Sequence, residues 1–167
     1  MSGDLTKTAD FVILGAGVMG ASIAFHLARR GAGRVLVIDK GDVASGGSGR
    51  SSALVRMHYS FPTEVDLAVK SLAIFRDWKN YVGRDGHFRQ TGFVRIVPER
   101  EIPRLEKNVA MQRAHGVDAR VVDRAELSEI APDWEVADVA RAAWEPGSGY
   151  GDGSGVANDF LERAREM

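Results

Sequence analysis

Apolar positions along this 167-residue chain follow strand-like runs first, then helical spacing, and the two keep exchanging. Residues 11–14 are a short uninterrupted apolar run, which predicts a parallel strand buried on both faces. A glycine-rich turn over 15–20 follows, then a helix to about Arg30. Val18, Ala21, Ile23, Ala24, Phe25, Leu27 and Ala28 make that helix apolar around most of its surface, which predicts cover on several sides. Gly31 is placed to end it. Residues 35–38 predict a second buried strand, closed by Asp39.

A Gly/Ser-rich stretch over 41–52 separates this opening from the rest. Residues 54–59 read as a strand, with Leu54, Arg56 and His58 on one face and Val55, Met57 and Tyr59 on the other. Val65, Val69, Leu72, Phe75 and Trp78 recur at helical spacing, predicting one helix from Pro62 to about Tyr81. The remaining pattern predicts strands near 88–90 and 93–97, a helix over 101–115 ended by Gly116, a strand over 120–122 and a helix over 124–130. A strand over 139–144, a glycine-rich loop over 147–155 and a helix over 156–167 complete it. The order is α/β, opening with a Rossmann-like βαβ unit. A doubly wound sheet has at least a third parallel strand beside the first two, and the last helix is placed to feed one. The expectation is an incomplete fold, either a fragment or one half of a split protein. Its expected divisions are a dinucleotide-binding unit over 1–60, part of an α+β substrate domain over 61–150, and a helix over 151–167 returning to the first unit.

Composition narrows the function. Hydrophobic residues make up 44% and charged residues 27%, the balance of an ordinary globular protein. A formal net charge of −1 gives no electrostatic basis for binding nucleic acid or an anionic membrane. No apolar run approaches the ~20 residues of a membrane span. Residues 1–10 lack the basic start and apolar stretch of a secretory signal. Cysteine is absent, which excludes disulfide and thiolate chemistry and makes the cytoplasm the expected compartment. His26, His58, His87 and His115 have no metal-ligand spacing, so no metal site is expected.

The chemistry concentrates in Gly15-Ala16-Gly17-Val18-Met19-Gly20, a G-x-G-x-x-G between a predicted strand and a predicted helix. Gly15 permits the tight turn, Gly17 lets the backbone approach a pyrophosphate, and Gly20 lets the helix pack closely on the strand. The helix N-terminus then offers N–H groups and partial positive charge to phosphates. Asp39 is placed to accept hydrogen bonds from ribose hydroxyls, which disfavours a 2′-phosphate. The later stretch Ser45-Gly46-Gly47-Ser48-Gly49-Arg50-Ser51-Ser52 is unnecessary in a simple nicotinamide domain. It is either a second ligand-approaching segment, with small residues and hydroxyls, or a flexible surface loop.

Taken with the residues that follow, these motifs resemble the D-amino-acid oxidase superfamily, in its sarcosine oxidase and dimethylglycine dehydrogenase-like branch. The resemblance is carried by the strand–turn–helix, Asp39, residues 46–52, and Leu54-Val55-Arg56-Met57-His58-Tyr59. It extends to Thr91-Gly92-Phe93-Val94 and to Gly149-Tyr150-Gly151-Asp152, where Gly153 replaces the family's proline. The resemblance implies FAD as the cofactor. It places Gly15, Gly17 and Gly20 at the pyrophosphate, Asp39 (usually Glu in relatives) at the adenosine ribose, and Lys40 at the adenine side. Ser45, Gly46, Gly49, Arg50, Ser51 and Ser52 are implied to line the pyrophosphate and flavin. Arg56 matches an arginine that reaches the substrate carboxylate in sarcosine-type relatives; the alternative is a strand arginine in a surface ion pair. Core or surface roles are expected of His58 and Tyr59.

The implied function is the N-terminal part of an FAD-dependent oxidoreductase acting on the C–N bond of a small amine or amino acid. One alternative is a hydroxy-acid or glycerol-phosphate type dehydrogenase. Another is a non-catalytic fragment, or a subunit needing a partner chain. Relatives carry a late segment, beyond this length, that completes the flavin site. Some hold flavin through a cysteine, which this chain lacks.

Overall fold

The computed structural model describes residues 8–167. In chain order its elements are β1 (Phe11–Leu14), α1 (Val18–Arg29), β2 (Val35–Ile38), β3 (Leu54–Val55), α2 (Pro62–Arg76), α3 (Trp78–Val82), β4 (Arg89–Gln90) and β5 (Phe93–Val97). A 3-10 turn at Glu99–Glu101 leads into α4 (Ile102–Ala114), followed by β6 (Arg120–Val122), α5 (Arg124–Ile130), β7 (Arg141–Glu145), β8 (Gly149–Tyr150) and α6 (Gly153–Glu166). Two compact units result. One holds the described residues up to Ala53 together with Asp77–His87 and Gly151–Met167; the other holds Leu54–Arg76 and Phe88–Tyr150. The first division therefore falls at Ala53, ahead of the expected residue 60, and Asp77–His87 joins the dinucleotide-type unit.

In the first unit β1 and β2 pair in parallel, from Phe11 opposite Val35 to Leu14 opposite Ile38. Gly31 takes a left-handed backbone (φ +61°) just after α1, a conformation that glycine adopts without steric cost. One side of α1 meets α6, where Phe25 lies 5.1 Å from Phe160, ring to ring, while Ile23 stays 48% exposed, so the cover expected on several sides is only partly met. Trp78 of α3 packs on Phe160 at 4.8 Å, and its indole N–H donates to Asp159 at 2.8 Å. That contact explains a departure from the predicted helix over 62–81. The chain leaves helical geometry at Asp77 (φ −112°, ψ 32°), so α2 and α3 serve different cores although their apolar spacing runs on unbroken. The strands also depart from the burial expected of them. Among the described residues the sheet has two strands, and Val12 and Leu14 stay 56% and 82% exposed.

The second unit holds two antiparallel sheets, ordered β3-β8-β4 and β5-β7-β6. Met57, Val65, Leu72, Val97, Leu105 and Ala143 belong to one buried cluster; Val122, Leu127, Val139 and Ala142 belong to another. α5 starts on a capping box in which Asp123 and Glu126 satisfy each other's backbone N–H groups.

Further predicted boundaries differ, three of them near the glycine-rich segments and Arg56. The strand expected over 54–59 pairs only through Leu54 and Val55. β8 lies inside the expected glycine-rich loop, because Gly149 is there for cross-strand approach: a Cβ on it would stand 2.0 Å from the Arg89 carbonyl oxygen. α6 begins at Gly153, three residues early, since Asp152 caps it by accepting the Ser154 N–H at 2.9 Å.

Candidate functional site

The glycine-rich turn is built as its sequence requires. Gly15 has φ +111°, a region that L side chains rarely adopt. A Cβ on Gly20 would stand 1.9 Å from the Gly15 carbonyl oxygen and 3.2 Å from Ile13, so only glycine lets α1 leave the strand this closely. A Cβ on Gly17 would meet only the Ser48 hydroxyl, at 3.1 Å. Gly17 starts α1 with no cap of its own and no acidic residue in the first turn, so the positive end of the helix dipole is met only by groups from elsewhere in the chain.

Asp39 is exposed at the end of β2 and turns its carboxylate back toward this turn. Oδ2 accepts from Ala16 N at 2.7 Å and Oδ1 from Gly41 N at 2.9 Å. The Ala16 and Gly41 N–H groups hold its carboxyl below the usual aspartate range. Lys40 beside it is exposed. Asp39 lines a cavity of about 690 Å³ together with Ala16, Gly41, Val43 and Arg165.

The Gly/Ser-rich stretch folds onto the same turn. Ala44 N donates to Ala16 O at 3.1 Å, and Gly49 N to Ala44 O at 2.8 Å. Ser48, within the stretch but not singled out from sequence, puts its hydroxyl 3.0 Å from Val18 N at the helix N-terminus. Gly49 is needed for close packing, since a Cβ would stand 2.5 Å from Ala44 O. Ser45, Gly46, Arg50, Ser51 and Ser52 are exposed. Arg50 Nε reaches Gly46 O at 3.2 Å, and Ser51 Oγ accepts from Ala53 N at 3.0 Å. Ala44 and Ala53, on either side, both hold positive φ (60° and 48°), a strained geometry for non-glycine residues.

Arg56 belongs to the second unit, where it lines a cleft of about 460 Å³ with His58, Phe93, Arg95, Arg104 and Asn108. Its guanidinium donates to the His58 carbonyl and stacks over the Tyr59 and Phe93 rings at 4.7 and 5.6 Å. Arg56 makes no ion pair among the described residues, so the surface-pair alternative has no partner there. His58 is neither simple core nor simple surface. Its Nδ1 meets the buried Glu145 at 3.0 Å, and its Nε2 lies 3.5 Å from Asn108. Sequence reasoning did not single out Glu145. Its one signal is an acidic residue closing the apolar run Ala142-Ala143-Trp144.

Residues 10–167 match the family described as FAD dependent oxidoreductase, abbreviated DAO. This chain belongs to that family. Sarcosine oxidase subunit beta of an Arthrobacter species is 28% identical over 96% of this chain and 42% of its own length. The crystal structure of L-proline dehydrogenase from P. horikoshii superposes with a TM-score of 0.87 at 27% identity, over 95% of this chain and 42% of that one. Glycine oxidase from Bacillus cereus superposes with a TM-score of 0.78 at 26% identity, over 95% and 44% respectively. The chain thus spans about two fifths of the length of these relatives. The Rossmann-like assignment and the partial extent of the fold both follow.

FAD is the cofactor of this family. The turn suits a dinucleotide phosphate on its own geometry. The α1 N-terminus has no cap from Gly17 and no acidic residue in its first turn, and an oxygen, that of Ser48, already sits against Val18 N. Among the described residues, no helix is long and apolar enough to cross a membrane.

Proposed function

We propose that this chain is the N-terminal, FAD-holding portion of an oxidoreductase that oxidises the C–N bond of a small amine or amino acid. The observation that carries the reading is the pairing of the α1 N-terminus, which opens on Gly17 with no acidic residue in its first turn, with Asp39 around the Gly15–Gly20 turn. Relatives named for sarcosine, glycine and L-proline favour C–N over C–OH oxidation. FAD, when bound, supplies the hydride acceptor.

The protein's own part is binding and orientation. Gly15, Gly17 and Gly20 admit the pyrophosphate to the helix N-terminus. Asp39 accepts ribose hydroxyls through the lone pairs that Ala16 and Gly41 leave open. Lys40 lies to the adenine side. Ser45, Gly46, Gly49, Arg50, Ser51 and Ser52 supply hydroxyl, backbone and guanidinium groups along the remaining phosphate and flavin edge. Arg56 holds the substrate carboxylate by its planar fork, with one N–H already fixed by the His58 carbonyl. A further polypeptide segment, in this chain or in a partner, completes the fold beside the exposed face of β1.

The test is loading of the purified chain with FAD, followed by flavin fluorescence and calorimetry, for wild type and Gly17→Val. Saturable binding by wild type that Gly17→Val abolishes supports the reading. Equal binding by both, or by neither in the presence of the completing segment, rejects it.

A further inference from the structure

The cleft around Arg56 holds more positive charge than one carboxylate needs. It is built from two regular surfaces and the segment that follows β3. Alternation along β5 puts Phe93, Arg95 and Val97 on one face, and all three line the cleft. Glu101, Arg104, Leu105 and Asn108 fall at helical spacing and form one face of α4 and the turn before it; all four line the cleft. Val97 and Leu105 are buried at its floor. Arg95 therefore occupies a position where the period of the strand calls for an apolar residue, between Phe93 and the buried Val97.

The charges there are uncompensated. Three guanidinium groups, those of Arg56, Arg95 and Arg104, face one carboxyl group, that of Glu101. Among the described residues, the side chains of Arg95 and Arg104 make no ion pair and no hydrogen bond. Arg56 is already oriented by the His58 carbonyl and by two aromatic rings. A concave surface with like charges focuses the field on any anion that enters.

We infer that the cleft takes a substrate with two anionic groups, such as a dicarboxylate. One carboxylate sits on Arg56 and the second on Arg95 and Arg104. The inference rests on the reading of Arg56 as a carboxylate-binding residue and adds a substrate class to it.

The experiment is an NMR titration of the full chain, following arginine Nε–Hε signals. The ligands are the straight-chain dicarboxylates from malonate to adipate and the monocarboxylates of equal carbon number. The expected result is a length optimum at which a dicarboxylate binds about ten-fold tighter than its monocarboxylate. Arg95→Gln and Arg104→Gln, substitutions at exposed positions, should remove most of that ratio, weakening the dicarboxylate far more than the monocarboxylate. A dicarboxylate advantage that is absent, independent of length, or retained in both variants overturns the inference. The Arg56 reading fails separately. It is wrong if Arg56→Gln leaves monocarboxylate affinity unchanged, whatever the dicarboxylate ratio shows.

Discussion

Nδ1 of His58 lies 3.0 Å from Oε1 of Glu145, and Glu145 is fully buried at the end of β7. The other oxygen of the same group accepts the Met57 N–H at 3.1 Å and the Ser148 hydroxyl at 2.8 Å. This arrangement answers a local problem. Strand pairing of the segment stops at Val55, one residue before Arg56. From there a single buried carboxyl group, not a strand ladder, ties residues 57 and 58 to the sheet. Arg56 is positioned by neighbours that are held in this way.

Removing that group should unfold more than it should disturb locally. Glu145→Ala orphans the buried Met57 N–H and leaves the Ser148 hydroxyl only the weak Met57 sulfur acceptor at 3.8 Å, and each unsatisfied buried donor costs about 1–3 kcal/mol. Urea denaturation is expected to show a loss of about 3 kcal/mol. Glu145→Gln, which keeps a carbonyl acceptor, should lose less than half of that. A loss within 0.5 kcal/mol of zero for Glu145→Ala, about the size of a neutral surface substitution, would show that the network is not what holds the segment.

Two glycines of the same motif should respond differently. A Cβ on Gly20 strikes the backbone oxygen of Gly15 at 1.9 Å, and backbone there cannot yield without moving α1 off β1. Gly20→Ala is expected to destabilise the βαβ unit by about 1–3 kcal/mol, the usual cost of overpacking. A Cβ on Gly17 meets only the rotatable Ser48 hydroxyl at 3.1 Å. Gly17→Val should therefore stay folded by circular dichroism while losing ADP binding. If both variants melt alike, the division between a folding glycine and a ligand-facing glycine is wrong.

What was legible in the sequence follows from how local each feature is. β1, the turn, α1 and β2 are contiguous, and their period and glycines are set by near neighbours, so the pattern alone outlines them. The break at Asp77 was hidden because Trp78 keeps the helical spacing while changing partners to Phe160 and Asp159. β8 and the first turn of α6 were hidden by glycines that serve close approach: Gly149 against Arg89, and Gly153 against the Ser48 carbonyl, where a Cβ would stand at 2.4 Å. The cleft draws on residues from Arg56 to Asn108, which β5, α4 and the segment after β3 contribute together. Its charge surplus is visible only once Arg95 and Arg104 are seen to lack partners among the described residues.

Asp39 leads to a prediction with a defined pH window. The backbone N–H groups of Ala16 and Gly41 hold its carboxyl below the usual range, so its folded pKa is depressed. A depressed carboxyl stabilises the fold above its unfolded pKa of about 3.9, and that contribution is lost as pH falls through the lower folded value. The stability difference between wild type and Asp39→Asn should be constant from pH 7 to about 5 and shrink below about 4. The charged Asp39 should also reject 2′-phospho-ADP relative to ADP across the upper window, and Asp39→Asn should relax that preference. Equal wild-type affinity for the two nucleotides, measured by calorimetry, would remove the ribose role from Asp39.

Arg56 tests the substrate reading most directly. A carboxylate taken from water into a partly closed cleft is costly unless its charge is paired. Arg56 offers a permanent charge and a planar fork, fixed on one side by the His58 carbonyl and packed on Tyr59 at 4.7 Å. Arg56→Lys keeps the charge but loses the fork and the stacking surface; Arg56→Ala loses all three. In the FAD-loaded, completed enzyme both should raise the substrate Kd, with alanine worse by about 2–5 kcal/mol where the pair is desolvated. Arg56 lies in the second compact unit, whereas the Gly15–Gly20 turn and Asp39 lie in the first. Flavin content per chain should accordingly stay at the wild-type level, which separates lost substrate binding from a lost cofactor. The decisive comparison is an amino acid against its uncharged amide. Wild type should prefer the acid, Arg56→Ala should not, and a preference that survives the substitution would assign the carboxylate to another residue.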